Sequence, residues 1–72
     1  MTKLQNSGSD ELIRLDRVTA LCGVKRSQVY AMIARGEFPK QVKVGAVSVW
    51  SFYEVSRWIS DRLAERDARL AA

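Results

Sequence analysis

The stretch GVKRSQVYAMIARGEFPKQVKV, residues 23–44, carries a helical period and the whole charge surplus of a 72-residue chain. Val29, Met32 and Ile33 recur at helical spacing, with Val24 just before them. Gly23 and Gly36 bracket that period, and glycine is the residue that takes the left-handed conformation closing a helix. Arg35 falls in the last turn, where a cation favours the helix dipole. Phe38-Pro39 then stops helical structure, because proline excludes the residue before it from the helical region. The reading is a short helix closed at Gly36, followed at once by something extended.

Working outward, RVTALC (17–22) places Val18, Leu21 and Cys22 on one stripe of another short helix, with Asp16 expected as its N-cap. Two short helices joined across Gly23 read as a helix-turn-helix unit. Upstream, ELIRL (11–15) alternates as a short strand or extended lead-in. Residues 1–10 contain Asn6-Ser7-Gly8-Ser9-Asp10 and no apolar period, and read as a disordered arm. Downstream, KQVKVGAVSVW (40–50) is rich in β-branched residues around Gly45-Ala46 and predicts a two-stranded hairpin. Ser51 and Glu54 make a capping box, opening a third helix with Val55, Trp58, Ile59 and Leu63 on one face. Arg57–Asp61 and Glu65–Arg69 are spaced for pairing on its outer face. Its last turns have only Leu70 to bury, so they are expected to fray or to pack on a partner. The order strand, helix, turn, helix, hairpin, helix is that of a winged helix-turn-helix over residues 11–72. It is mainly α, with three helices and a two-stranded wing.

With 47% apolar and 28% charged residues, the chain is an ordinary globular one, enough for one small domain. It has no histidine, and its single cysteine, Cys22, has no second thiol to pair with. That suits a reducing cytoplasm. General acid–base and nucleophilic chemistry lack their partners here, so neither an enzyme nor a cofactor, metal or small-molecule substrate is expected. No run of 18 apolar residues exists to span a membrane, and MTKLQNSGSDE lacks the apolar core of a signal peptide.

Charge narrows the class of partner. Residues 1–22 and 45–72 each sum to zero, whereas Lys25, Arg26, Arg35, Lys40 and Lys43 face only Glu37 in between. A clustered surplus attracts a polyanion by releasing condensed counterions. Projecting the second helix at 100° per residue turns Ser27, Ala31 and Ala34 outward. Gln28 and Arg35 flank that line on one shoulder and Tyr30 on the other. A slim outer face fits the major groove of double-stranded DNA. Gln28 suits adenine, Ser27 a base or phosphate, and Arg26 guanine or phosphate. Tyr30, Lys25, Arg35, Lys40 and Lys43 suit the backbone.

LIRLDRVTALCGVKRSQVYAMIARGEFPKQVKVG, followed by SFYEVSRWI, resembles the AlpA family of small phage-type regulators, related to excisionase-type and MerR-like winged-helix proteins. The resemblance covers residues 12–63. It implies a prophage- or genomic-island-encoded DNA-binding protein that regulates transcription or directs excision with an integrase. It carries recognition-helix roles onto Arg26, Ser27, Gln28 and Tyr30, and the proline-lysine of the wing onto Pro39 and Lys40. Lys25 stands where the family often has a serine cap, exchanging a cap for a phosphate-binding charge. The turn Gly45-Ala46 lacks the family's arginine after the glycine, which leaves backbone contact to Lys40 and Lys43. A domain this small is expected to act as several copies on adjacent half-sites, associating with one another on DNA. The alternative is a protein-interaction module, adaptor or antitoxin-like, docking through Trp58, Leu63 and Leu70 of the third helix.

Overall fold

The computed structural model describes residues 10–71. In chain order these form β1 (Leu12–Ile13), α1 (Leu15–Cys22), α2 (Arg26–Ala34), β2 (Val42–Val44), β3 (Val47–Ser51) and α3 (Phe52–Ala71). This is a winged helix-turn-helix. The wing differs from the expected two strands: β1 adds to β3 on the side away from β2, giving an antiparallel sheet in the order β1-β3-β2. Leu12 lies opposite Ser51 and Ile13 opposite Trp50. The reason is burial, since Ile13 and Trp50 face the core together. An isolated hairpin would have only its own marginal stability.

Local chemistry accounts for the helix ends. Gly23 closes α1 with φ 73°, its amide donating to the Thr19 carbonyl at 2.9 Å. Gly36 also takes a positive φ, 71°, after α2, while the Glu37 amide returns to the Met32 carbonyl at 2.8 Å. Asp16 does not cap α1. The helix begins two residues earlier, at Leu15, with Arg14 in the capping position and no side chain bonded there, and Asp16 sits within the first turn. Leu15 explains the shift, because starting there packs its side chain against the core.

That core is Ile13, Val18, Val29, Met32, Phe38, Trp50 and Val55, with Leu15, Cys22, Val24, Ile33, Phe52, Trp58 and Ile59 against it. The stripes expected from sequence hold for Val18 with Cys22, for Val29 with Met32 and Ile33, and for Val55 with Trp58 and Ile59. Leu21 and Leu63 are exposed instead. Leu63 lies beyond the point where α3 leaves the sheet, since every residue from 60 to 71 of this helix is exposed. The Arg57–Asp61 and Glu65–Arg69 pairs are not formed. Arg62 instead pairs with Glu65 at 2.6 Å and Arg66 with Asp67 at 2.8 Å, and Arg57 donates to the Tyr53 hydroxyl at 3.3 Å.

The expected N-terminal arm lies, for residues 1–9, outside the described residues. Asp10 is described, and it is engaged. Its carboxylate accepts from the Ser51 hydroxyl at 2.6 Å and from the Tyr53 amide at 2.9 Å. The Glu54 amide donates to Ser51 Oγ at 3.1 Å and the Phe52 amide to the Glu11 carbonyl at 2.8 Å. The first turn of α3 is thus capped by Ser51, as expected, and also by the backbone and side chain entering β1.

Candidate nucleic-acid interface

α2 sits with one face against the core through Val29 and Met32, and its other face is open. Ser27, Gln28, Tyr30, Ala31, Ala34 and Arg35 are all exposed, so the slim surface expected from the helical projection is present. α3 packs on β3 and does not cover it. Lys25 precedes the helix in an extended conformation (φ −84°, ψ 162°) with no side-chain cap bond. The helical hydrogen bonds begin at the amides of Gln28 and Val29, both donating to the Lys25 carbonyl, so the helix opens between Lys25 and Arg26 without a capping side chain.

Tyr30 meets the edge of Trp50, with ring centroids 6.1 Å apart and planes at 61°. α2 therefore lies on the Trp50 side of the sheet. Lys43 is paired with Ser48, and both have the same strand parity as Trp50, so Lys43 stands on that side too. The fold thus brings Lys43 to the flank that carries α2. Lys25, Arg26, Lys40 and Lys43 are exposed and make no ion pair with another described residue. Arg35 differs. Its Nε holds Glu37 Oε1 at 3.0 Å, so the one acid of the basic segment is spent on the cation nearest to it.

Two indoles set the geometry between helix and wing. Trp50 Nε1–H donates to the Pro39 carbonyl at 3.1 Å, and Trp58 Nε1–H to the Glu37 carbonyl at 2.8 Å. Phe38 is buried between these anchors and packs edge-on against Trp58, centroids 5.0 Å apart. The loop bearing Lys40 is thereby tied at two carbonyls to β3 and α3. Helical spacing placed Trp58 on one face with Val55 and Ile59, but nothing in the sequence signalled the bond made by either indole N–H. The Arg35–Glu37 pair was legible only as closeness in sequence.

Nucleophilic chemistry finds no support in Cys22, since burial pushes its thiol up and keeps it protonated. Among the described residues no cluster of His, Cys, Asp or Glu is placed to hold a metal ion. No helix among them is long and apolar enough to cross a membrane.

The AlpA family, described as prophage CP4-57 regulatory protein, matches residues 11–63, the stretch from β1 through the third turn of α3 and just beyond. The chain belongs to this family. A curated relative, the uncharacterized protein ORF88 of Enterobacteria phage P4, is 41% identical over 58 residues. That match covers 79% of this chain and 66% of the phage protein, so the AlpA-family chain spans slightly less than two thirds of its relative's length. No solved structure matches it. The family match ends at Leu63, so the exposed tail of α3 beyond that residue lies outside it.

Proposed function

We propose that this AlpA-family chain is a sequence-specific double-stranded DNA-binding regulator that lays α2 in the major groove. The observation that carries this reading is the open α2 surface, small and hydrogen-bonding, with Lys25, Arg26 and Lys43 on its flank. Gln28 and Ser27 read base edges, and Arg26 reads a base or holds a phosphate. Lys25, Tyr30, Lys40 and Lys43 position the duplex through its backbone. Arg35 acts there only by releasing Glu37. The protein works without catalysis or cofactor, in the cytoplasm, as a transcriptional regulator or as an excisionase acting beside an integrase. Both jobs use the same surface.

Footprinting on the DNA flanking its own gene, followed by mobility shifts with two variants, tests the reading. Gln28→Ala should lose about 1–3 kcal/mol on its specific site and little on random DNA. Lys43→Ala should weaken all DNA alike and flatten the salt slope. Equal losses on specific and random DNA for both variants would defeat this division of labour, and absence of any footprint would defeat the reading itself.

A further inference from the structure

The basic segment holds a single acid, and the fold fixes it at the end of α2. Glu37 Oε1 accepts from Arg35 Nε at 3.0 Å. The backbone beneath the pair is held in place. Gly36 turns the chain with φ 71°, its amide donating to the Ile33 carbonyl at 3.0 Å, and the Glu37 amide donates to the Met32 carbonyl at 2.8 Å. Together these bonds are the pattern that closes a helix around a left-handed residue. The Glu37 carbonyl in turn accepts from Trp58 Nε1–H at 2.8 Å. The backbone of Glu37 is therefore fixed, and only its side chain can turn away from Arg35.

Stability does not account for the pair. Its side chains are 52% and 53% exposed, and ion pairs this open to water contribute little to folding. Its position points elsewhere. Arg35 lies seven residues beyond Gln28, on the same stripe of the helix and about 10 Å along its axis. A groove that receives Gln28 thus brings its phosphate wall to Arg35 and to the carboxylate bonded to it. An arginine already neutralised by a carboxylate releases no counterion from DNA, and that carboxylate repels the phosphate. Among the described residues, Arg35 is the one cation of residues 23–44 held in this way.

We infer that Glu37 is a specificity-determining residue that acts through Arg35. On random DNA it keeps Arg35 neutralised, so nonspecific attraction comes from the remaining cations. On a matched site the base contacts of Gln28 and Ser27 hold α2 at full depth. The phosphate pressed against the helix end then takes Arg35 from Glu37. One carboxylate fixed beside the reading helix thereby lowers affinity for wrong sequences more than for the right one. The inference rests on the DNA-binding reading above.

The test measures affinity and salt slope on the footprinted site and on random DNA. It compares wild type with Glu37→Gln, the double variant Arg35→Gln/Glu37→Gln, and Asp67→Asn. The last frees Arg66 from its partner on the exposed tail of α3 with the same change in net charge. Glu37→Gln keeps every backbone bond and should melt as wild type does. On random DNA it should gain one phosphate contact, seen as a slope steeper by about 0.9 and binding on the order of tenfold tighter at 0.1 M salt. On the footprinted site the gain should be smaller, so discrimination falls. The double variant should return to wild-type affinity on random DNA, and Asp67→Asn should not leave it. No gain on random DNA, or equal tightening on both DNAs, would overturn the role of Glu37 alone. So would weaker binding of Glu37→Gln to its site, which would mean that Glu37 orients Arg35. An equal gain in Asp67→Asn, or one that survives in the double variant, would overturn it too, the first by showing that net charge alone acts. Failure of wild type to bind the footprinted fragment would overturn the DNA reading first.

Discussion

Asp10 shows how much a single residue outside every regular element can hold. Its carboxylate accepts from the Ser51 hydroxyl and the Tyr53 amide, and these bonds hold it below the usual carboxylate range. A carboxyl made more acidic by folding contributes its stability in full above its unfolded pKa, and loses it as pH falls through the lowered one. Asp10→Asn should therefore lower the melting temperature at neutral pH, and the gap to wild type should shrink as melts are taken into strong acid. A constant gap at all pH values would mean that the charge is not what matters. Ser51→Ala removes the cap on the Glu54 amide and should cost about 0.5–2 kcal/mol in denaturant melts. Of the expected capping box, the Ser51 cap on the Glu54 amide was legible and is formed, while the Glu54 carboxylate makes no return bond to the Ser51 amide. Asp10 was not legible, because its partners lie 41 and 43 residues away.

Among the elements, the loop between α2 and the wing depends on its neighbours rather than on its own residues. The Pro39 and Glu37 carbonyls are held by the two indole N–H groups, and Phe38 is buried beside them. Trp58→Phe keeps a ring against Phe38 but leaves the Glu37 carbonyl without its donor. It should stay folded and lose about 0.5–1.5 kcal/mol in urea denaturation. Trp58 is only half-buried, partly beneath the Arg62 guanidinium 5.3 Å from its ring, so the full-core role expected from its spacing is too strong. Trp50 is fully buried. Trp50→Ala should cost about 3–5 kcal/mol and unfold so small a domain, seen as loss of the cooperative melt.

At the scale of the whole molecule the question is where the charge goes. The formal +4 comes from residues 23–44, and the fold leaves four of that segment's five cations free of ion pairs among the described residues. Phosphate contacts of this number give affinity that falls steeply with salt. With about four of them, binding should weaken roughly 100-fold between 50 and 200 mM salt. A nearly flat titration would point to an apolar contact through α3 instead of a duplex. Among the described residues, the tail of that helix from 60 to 71 is exposed throughout and adds nothing to the core.

Short-range signals decided most of the architecture. A helical period needs only residues three and four apart, a left-handed glycine only its own backbone, and a capping box only a span of four. Winged-helix order, helix ends at Gly23 and Gly36, the hairpin turn and the charge cluster all belong to that local kind. Tertiary structure alone decided the rest: β1 joining the wing, Asp10 closing the start of α3, and indole N–H groups anchoring the loop. Each of these joins groups far apart in the chain, and a contact closed across tens of residues depends on the packed core and leaves no period for the eye to find.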